Sequence, residues 1–459
     1  MVDRFRRHLA QSALIPKGSR VLVGYSGGSD STTLLHLLNG CGVDVVAGHL
    51  HHGQREEADQ ELKQCQAFAD SLDIPFASGR ADVPRMARDM GIGLEEAGRK
   101  ARYAFFQEAA FRLGCQLIAT AHTQTDQIET ILLNVIRGTG LHGLGGIPER
   151  RENIIRPLLP FSRQETEQYC DERQFWTHDD PANSDTSFSR ARVRHRIVNE
   201  LKLINPGFDQ AILRLSETAL EEDRFLNGMA AAALEQSEIP LNGDLQFLTE
   251  SLEIRFDRPK MAHLPIALLK RSLRLAAEAL GAPLSFDQTA TAVEGVLSGS
   301  KGSISAEGGE VVVDWNERYV DVRRLEPAQS YRQSLTVPGE TLSDEFGWQF
   351  TAFVDQHSGE VAKRKTLDTL IDTEAIKGSL YFRTIKAGDQ MQPLGFSGRR
   401  KVSDILSESK LTIAARNRIP IVCDLVGPIW IPGVCLAERA RQNTSTTTAI
   451  RLQFGPLRP

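Results

Sequence analysis

The sequence predicts an α/β protein that begins with a doubly wound parallel sheet and continues with a mostly helical domain and a small α+β domain. Short apolar runs alternate with helical stretches up to Asn205–Gly207, where the pattern changes, and a polar stretch at Glu326–Ser334 precedes a basic segment. Strands separated by helices of this length indicate βαβ units in a parallel sheet with both faces covered. The predicted domains are residues 1–206, 207–325 and 335–459.

The elements of the first domain follow from the spacing of apolar residues. Short β-rich runs predict strands at Arg20–Gly24, Asp44–Leu50 and Gln116–Ala121. Helical periodicity covers Thr32–Leu38, Glu56–Leu72 and Gly98–Leu113. After the third strand, apolar residues from Ile128 to Ile136 recur at i, i+3, i+4, i+7 and i+8, which is one stripe of a helix. Ligands of such sheets lie beyond the carboxyl ends of the strands.

The other two domains are predicted in the same way. Helices are expected at Phe208–Gln236, Ala267–Ala279 and Phe286–Leu297. Alternating apolar and polar residues over 303–323 predict a short hairpin. Strand-like runs of the last domain are Trp348–Val354, Leu380–Thr384, Ile419–Asp424 and Ile429–Val434.

The composition is that of a globular protein, with 459 residues, 41% hydrophobic and 25% charged. No apolar run approaches the ~18–20 residues of a membrane span, and the N-terminus lacks the apolar run of a secretory signal. Six cysteines occur without CxxC spacing, which favours a reducing compartment over a disulfide framework or a zinc ribbon. We therefore expect a soluble, cytoplasmic protein with no membrane partner.

The net charge of −5 hides an asymmetry between the two ends of the chain. Residues 381–459 carry 12 Lys+Arg against 5 Asp+Glu, a balance of +7, and the rest of the chain balances at −12. A basic tail on an acidic body is typical of a polyanion-binding module. A solvated basic surface explains the same charge equally well.

Six residues form a glycine-rich turn between the first strand and the next helix: Ser26, Gly27, Gly28, Ser29, Asp30 and Ser31. Glycines admit positive φ and let backbone N–H groups approach an anion, and the hydroxyls and the helix N-terminus add donors. Asp30 is suited to hold a divalent cation on a phosphate. The turn is neither a Walker A loop nor the dinucleotide fingerprint. A phosphate loop and a purely structural turn both fit this segment taken alone.

Together with the preceding VLVGY, the turn resembles the SGGxDS loop of the PP-loop (N-type) ATP pyrophosphatases. The resemblance implies an adenine nucleotide α hydrolase-like domain that binds ATP and Mg²⁺ through these six residues. It also implies that ATP is cleaved between the α- and β-phosphates, that a substrate oxygen is adenylated and that pyrophosphate is released.

Further segments resemble the tRNA(Ile)-lysidine synthase family. They are Gly48–Arg55 with Asp59, Leu94–Tyr103, Thr120–Thr130 with Arg137–Gly140, Asp180–Arg194, and Arg383–Pro420. The likeness covers most of the chain and is weakest across 215–300. It implies ATP-dependent ligation of L-lysine to C2 of the wobble cytidine of the CAU-anticodon isoleucine tRNA, through an adenylated cytidine. The product is lysidine, and codon and amino-acid specificity change from Met to Ile. The sheet domain would carry ATP, Mg²⁺ and lysine, the other domains would hold the tRNA, and a homodimer is compatible with the family.

Asp126 and Glu129 are the candidate catalytic carboxylates. They stand at i, i+3, so both point from one helical face, opposite the apolar stripe. The lysine amine, with a pKa near ~10.4, must lose a proton before it attacks, and a nearby carboxylate or imidazole can hold the ammonium or take the proton. By resemblance, His122, Asp126 and Glu129 bind lysine and assist its attack. Arg190 and Arg194 would contact the substrate or the adenylated intermediate.

The resemblance also places Asp30 among the catalytic residues, as a Mg²⁺ ligand, and His49 and Arg102 in the ATP site. Simpler readings stay open for some positions. Asp126 could be only a helix N-cap, with Glu129 three residues later as in a capping box.

Two neighbouring histidines and a run of arginines also admit two readings. His51 and His52 line the nucleotide pocket or lie in a solvated loop, and no partner stands at metal-ligand spacing. The arginines of 190–196 contact tRNA phosphates or form a plain surface face.

The sequence departs from the family pattern at five positions. Thr123 and Thr125 stand where HHxDDQxET has its second His and first Asp, and Ala191 replaces the Asn of RNRIR. His51 and Gln54 differ from the usual DHGLR. Because the whole loop and both candidate carboxylates are retained, the pattern indicates a divergent working enzyme.

Three other functions fit part of the sequence. A tRNA thiolase of the same superfamily would use a reactive cysteine or a CxxC-bound cluster, whereas Cys115 is typical of a small core residue. A small-molecule amidotransferase such as an NAD or GMP synthase would not need the helical and basic domains. A non-catalytic RNA-binding protein with a relic nucleotide pocket would release no pyrophosphate from ATP.

Overall fold

The structure is a computed structural model that describes residues 1–51, 58–178, 189–327, 329–356, 366–443 and 446–457. They form two compact units, Met1–Arg224 and Phe225–Pro459. The three-domain division with boundaries near 206 and 325 stays a prediction. None of the helices in the described part of the chain has the length and hydropathy needed to cross a bilayer.

A six-stranded sheet forms the centre of the N-terminal unit. Its strands are β1 (Arg20–Gly24), β2 (Asp44–His51), β3 (Phe76–Arg80), β4 (Leu117–Ala119), β5 (Arg150–Arg151) and β6 (Ile154–Ile155). Their order is β3-β2-β1-β4-β6-β5, and all neighbours are parallel except β5 and β6. The chain moves outward from β1 to β3 and then returns to the other side of β1 with β4. This creates a switch point between β1 and β4.

Helices precede, connect and follow the strands of this sheet. They are α1 (Val2–Ser12), α2 (Ser29–Gly40), α3 (Ala58–Ser71), α4 (Val83–Met90), α5 (Leu94–Arg112), α6 (Gln124–Ile136), α7 (Leu141–Leu144), α8 (Arg163–Glu172), α9 (Ser189–Arg192), α10 (Val198–Ile204) and α11 (Phe208–Ser237). A π-helical turn at Val193–Ile197 joins α9 to α10, and α11 runs on into the C-terminal unit. Val21 and Val23 of β1 pack in one core, whereas Leu22 packs with Phe106 of α5 in another. The predicted doubly wound parallel sheet is therefore confirmed.

The C-terminal unit begins with a second sheet. Its strands are β7 (Glu253–Asp257), β8 (Gly302–Ser305), β9 (Val311–Trp315) and β10 (Tyr319–Arg324), in the antiparallel order β7-β10-β9-β8. Its helices are α12 (Arg258–Ala262), α13 (Ile266–Ala279) and α14 (Phe286–Ser298). The prediction of a single hairpin over 303–323 is wrong, because three strands lie there and β7 adds a fourth. β7 gives a weak sequence signal, since only Ile254 and Phe256 are apolar in it.

The rest of this unit is rich in strands. The elements are β11 (Arg332–Ser334), β12 (Gly339–Ser343), β13 (Trp348–Gln356), β14 (Asp368–Asp372), β15 (Tyr381–Arg383), β16 (Gln390–Met391), β17 (Arg400–Lys401), α15 (Val402–Glu408), α16 (Ile413–Arg418), β18 (Ile421–Cys423), β19 (Pro428–Ile431), β20 (Cys435–Leu436) and β21 (Thr448–Pro456). They pair in the orders β11-β15-β18-β19-β20, β12-β13-β21-β14 and β16-β17. An aromatic core that includes Trp348, Phe382 and Trp430 fills this region. The predicted α+β domain is present with strands predominating, and the predicted linker Glu326–Ser334 ends in β11.

Candidate active site

The glycine-rich loop connects β1 to α2, at the carboxyl end of β1 beside the switch point. Gly27 has φ +85°, and a Cβ there would lie 2.9 Å from Sγ of Cys65. Conformation and space therefore both require glycine. The Ser31 hydroxyl closes the loop, because it accepts from the Ser26 N–H at 3.2 Å and donates to the Gly28 carbonyl at 3.0 Å. The loop is closed from within by Ser31 and held from outside by the His178 N–H, which donates to the Gly27 carbonyl at 2.9 Å.

His49 and Arg102 lie outside this loop. The His49 side chain is buried, and its Nδ1–H donates to the Tyr25 carbonyl at 2.9 Å, so it braces the end of the strand before the loop. Burial lowers the pKa of His49. Arg102 is exposed on α5. The roles of both residues in ATP binding stay predictions.

Asp30 lies in the first turn of α2, and its side chain is only 14% exposed. Thr166 Oγ1 donates to Oδ1 at 2.5 Å, and Arg163 Nη2 donates to Oδ2 at 3.1 Å. Burial raises the pKa of Asp30, and the Arg163 charge and the Thr166 hydrogen bond offset this only in part. Both partners come from the first turn of α8, 133 and 136 residues further along the chain. No local spacing signals them, and sequence reasoning missed both.

Asp30 is also the residue that would hold Mg²⁺. In the part of the chain that the structure describes, no group of three or more His, Cys, Asp or Glu side chains is arranged to hold a metal. Mg²⁺ usually keeps several waters and takes one or two carboxylates together with phosphate oxygens. Each Asp30 oxygen accepts one of the hydrogen bonds above and retains a lone pair. The site therefore fits an ion carried by a nucleotide and does not fit a cage of protein ligands alone.

His51 and His52 were the two histidines expected in the nucleotide pocket or in a solvated loop. His51 is buried on β2. His52 lies outside the described residues, as do Gln54 and the Asp180–Asn183 part of the family motif.

A second set of predicted residues follows β4, the strand next to β1. The Thr123 N–H and hydroxyl both donate to Oδ2 of Asp126, at 2.8 and 2.9 Å. Thr123 is the N-cap of α6, and Asp126, as its third residue, completes a capping box. The alternative that Asp126 is itself the N-cap, with Glu129 closing the box, is wrong because the helix begins at Gln124.

The structure shows what three residues that depart from the family pattern contact or where they are buried. Thr123 supplies the cap hydroxyl just described. Thr125 Oγ1 accepts from the Arg163 backbone N–H at 3.2 Å, which ties α6 to α8. Ala191 is buried, so its small side chain faces the interior. Two of the three departures thus form hydrogen bonds within the site.

Glu129 is fully buried and is paired with two arginines. Arg190 Nε and Arg194 Nη2 donate to its Oε2, at 2.9 and 3.0 Å. Arg190 Nη2 also donates to Oδ1 of Asp126 at 3.1 Å. We call these four residues, Asp126, Glu129, Arg190 and Arg194, the charge cluster. It balances two carboxylates, of which Glu129 is fully buried, against two partly exposed guanidiniums.

The arginines of the cluster come from α9 and from the π-helical turn after it, four positions apart. Arg192 and Arg196, which lie between and beyond them, are exposed. The reading of the whole run as a plain surface face is therefore wrong for Arg190 and Arg194.

The charge states of this half of the site differ between groups. Burial lowers the pKa of His122 to about 4, so the imidazole is neutral at pH 7; its Nδ1 lies 2.9 Å from Thr120 Oγ1. Burial opposes the charge of Asp126, but the Arg190 guanidinium and the Thr123 N–H hold the pKa of that carboxyl below its usual range. The arrangement offers an ionised carboxylate for a cation and a neutral imidazole for a proton.

The loop half and the charge cluster lie within electrostatic range of each other. The Asp126 charge contributes to the raised pKa of Asp30. Burial opposes the charge of Arg163, yet Asp30, Asp126 and Glu129 together raise its pKa. The structure therefore brings together the predicted Asp30, His122, Asp126 and Glu129 at the ends of β1 and β4.

Comparison with known proteins adds to this picture. Residues 1–201 match the PP-loop domain family, and residues 379–453 match the TilS substrate C-terminal domain family. The tRNA(Ile)-lysidine synthase of Geobacillus kaustophilus is 30% identical over 478 residues, which is 99% of each chain. That of Symbiobacterium thermophilum is 31% identical over 475 residues, 98% of this chain and 97% of the relative. A crystal structure of a TILS C-terminal domain is 26% identical and covers 28% of this chain and all of its own, with a TM-score of 0.26.

The parallel sheet and the loop at its switch point define a protein of the PP-loop class. Because relatives at 30% identity match over nearly the whole chain, this protein belongs to the tRNA(Ile)-lysidine synthase family. The family, the fold class and the enzyme class predicted from the sequence are therefore confirmed.

Proposed function

We propose that this enzyme joins the ε-amine of L-lysine to C2 of the wobble cytidine in the isoleucine tRNA with a CAU anticodon. The observation that carries the proposal is a phosphate loop beside two buried carboxylates and a neutral imidazole, at the ends of adjacent strands. Full-length relatives named tRNA(Ile)-lysidine synthase support this choice of substrates. The product is lysidine, which changes codon and amino-acid specificity from methionine to isoleucine.

The first half-reaction activates the cytidine. Its O2 attacks the α-phosphorus of ATP, and pyrophosphate leaves, so that a poor leaving group becomes AMP. The loop Ser26–Ser31 binds the phosphates through backbone N–H groups and hydroxyls. Asp30 would hold a Mg²⁺ ion, and the ion would neutralise phosphate charge. The raised pKa of Asp30 supports this role, since a buried carboxylate with incomplete charge compensation favours a further cation.

The second half-reaction forms the new bond. The lysine nitrogen attacks C2, the carbon–oxygen bond to AMP breaks, and the nitrogen loses a proton. Asp126 and Glu129 hold the ammonium, and neutral His122 is available to accept the proton. Because Arg190 and Arg194 already donate to these carboxylates, the ammonium enters as a third cation on their remaining lone pairs. Arg190 and Arg194 are then placed to contact the adenylated cytidine.

The tRNA is the expected partner of the basic C-terminal segment. Residues 381–459 have a charge balance of +7, and contacts with a phosphate backbone depend on such charge. A protein that acts on tRNA is expected in the cytoplasm. A homodimer, compatible with the family, belongs to the same proposal.

The cysteines do not favour the alternative function of a tRNA thiolase, which would need a reactive thiol. All six are free, and burial raises the pKa of each thiol. A reactive cysteine needs a lowered pKa, because the thiolate is the nucleophile. The cysteines thus fit a structural role in a reducing compartment.

Incorporation of labelled lysine into a CAU isoleucine tRNA transcript, with ATP and Mg²⁺, tests the proposal. An elongator methionine tRNA with the same anticodon is the control. Incorporation confined to the isoleucine transcript is expected. Pyrophosphate release without incorporation would retain adenylation and reject lysine as the nucleophile. Neither signal from folded protein would leave a nucleotide-binding relic.

A further inference from the structure

Arg163 lies between the two halves of the proposed site. It begins α8, and its Nη2 donates to Asp30 Oδ2 at 3.1 Å, while its backbone N–H donates to Thr125 Oγ1 at 3.2 Å. Its charge also interacts with Asp126 and Glu129. One guanidinium is therefore tied directly to the helix that follows the phosphate loop and lies within range of all three carboxylates.

One donor of this guanidinium has no partner. The Nε of Arg163 is buried and has no hydrogen-bond acceptor among the residues that the structure describes, although 27% of the side chain is exposed. A buried charged donor without an acceptor is unfavourable, so such a group calls for an explanation. Nε itself is enclosed, so an anionic ligand would meet this undercompensated guanidinium at the exposed part of the side chain.

The arginines of the site differ in how far their donors are used. Arg190 and Arg194 are bound to the carboxylates of the charge cluster. Arg163 makes a single side-chain hydrogen bond to Asp30 and retains an unpaired donor beside the loop. Of the three arginines, Arg163 is the one that lies beside the loop and has a donor left to bind an anion.

We propose that Arg163 binds the phosphates of the nucleotide and stabilises the negative charge that develops as pyrophosphate leaves. The inference rests on the proposed function and assigns a further residue to its first half-reaction. Cleavage between the α- and β-phosphates leaves its electron pair on the departing pyrophosphate. A planar guanidinium suits such oxygens because it donates two parallel hydrogen bonds. Asp30 holds the guanidinium in place from the other side.

The test compares four variants in the full-length enzyme with the CAU transcript. Arg163→Gln removes the charge, and Arg163→Lys keeps the charge without the fork. Thr166→Val removes the other hydrogen bond to Asp30 without removing a cation. Arg173→Gln is the matched control at the far end of α8, where Arg173 lies 3.7 Å from the Tyr169 ring. Pyrophosphate release at varied ATP and lysine incorporation at varied lysine are measured for each.

The expected losses are graded. Arg163→Gln lowers kcat/KM for ATP about a hundredfold, the usual effect of losing one preorganised donor to a developing charge. Arg163→Lys lowers it about tenfold, because an ammonium is a point charge without the bidentate geometry. Thr166→Val has a clearly smaller effect than Arg163→Gln, and Arg173→Gln has none. The KM for lysine stays near the wild-type value in all four.

Two results would overturn the inference. One is a folded Arg163→Gln variant with wild-type kcat/KM for ATP. The other is an equal loss in Arg163→Gln and Thr166→Val, since Arg163 would then act only by positioning Asp30. If Arg163→Gln does not fold, Arg163→Lys decides: a tenfold loss supports the inference and wild-type kinetics reject it. A wild-type enzyme that releases pyrophosphate but makes no lysidine would overturn the proposed function and still allow this comparison.

Discussion

Asp30 and Asp126 are the same side chain in similar surroundings, yet their pKa values shift in opposite directions. Each is largely buried, and each accepts hydrogen bonds from an arginine at 3.1 Å and from a threonine hydroxyl. At Asp30 burial prevails over the Arg163 charge, whereas at Asp126 Arg190 and the Thr123 N–H prevail over burial. Because both carboxyls are largely buried, the opposite directions of the two pKa shifts follow from the charged and backbone partners that each carboxyl has.

This difference matches the two tasks proposed for the site. In the proposed nucleotide half, Ser26–Ser31, a carboxylate whose charge is poorly compensated would gain from a metal ion. In the proposed amine half, His122, Asp126 and Glu129, a carboxylate that is ionised at pH 7 would attract an ammonium. The comparison predicts that substitutions can impair ATP cleavage and lysine incorporation separately.

Glu129→Gln should damage the amine half alone and most severely. Lysine incorporation is expected to fall about 10²–10³-fold, because one of the two charges that hold the ammonium is lost. Pyrophosphate release should change little. Arg190 and Arg194 would lose the buried carboxylate they share, so the free energy of unfolding should fall by about 3 kcal/mol, the low end for a broken buried ion pair. Incorporation assays and urea unfolding provide both numbers.

The matched control for Glu129→Gln is Glu96→Gln, which removes an exposed pair with Lys100 on α5. Its free energy of unfolding should change by no more than about 0.5 kcal/mol. If pyrophosphate release falls in Glu129→Gln as much as lysine incorporation does, the two halves of the site depend on each other. That result would contradict the prediction that they can be impaired separately.

Gly27→Ala should damage the nucleotide half. Its φ of +85° and the 2.9 Å approach to Cys65 both oppose a Cβ, so the free energy of unfolding should fall by more than the roughly 1–2 kcal/mol of conformational strain. The kcat/KM for ATP should fall with it. Gly91→Ala is the control, because Gly91 also has positive φ but open space around it. Equal losses of stability in the two variants would remove the steric argument.

Replacing each aspartate with asparagine is expected to change how the free energy of unfolding depends on pH. A lowered folded-state pKa means that ionised Asp126 stabilises the fold above the unfolded value near ~3.9 and loses this as pH falls through the folded value. Asp126→Asn should therefore cost about 1–3 kcal/mol at pH 7 and much less in acid. A raised pKa means that ionised Asp30 disfavours the fold above the same unfolded value. Asp30→Asn should therefore gain stability relative to wild type as pH rises.

Urea unfolding between pH 3 and pH 7 checks this pair of variants. Curves for the two variants that shift in the same direction with pH would contradict the contrast between the two carboxylates.

The two halves also differ in what the sequence could predict. The loop is contiguous in sequence, and Ser31 closes it with hydrogen bonds to Ser26 and Gly28, so the sequence shows it directly. Glu129 meets Arg190 and Arg194 from 61 and 65 positions away, and only family resemblance named those arginines in advance. Nothing local marks the partners of Asp30, because the sheet places α8 beside α2 across more than 130 residues. Sequence pattern therefore predicts strands, helices and contiguous motifs better than pairings made by topology.

The same limit explains the errors in individual elements. A capping box at the start of α6 fits two registers, because Thr123 and Asp126 each stand three residues before a carboxylate. Strand β7 was missed because five residues with two apolar side chains give too little periodicity. In both places the packing of neighbouring elements supplied the missing information.

The bonds between Thr123 and Asp126 give one carboxylate two duties. One oxygen of Asp126 closes the capping box at the start of α6, and the other accepts from Arg190. A change of Thr123 to a residue without a hydroxyl would leave only the backbone N–H on the first oxygen. Helix formation and the charge of Asp126 are therefore coupled, and a substitution at position 123 is expected to affect both.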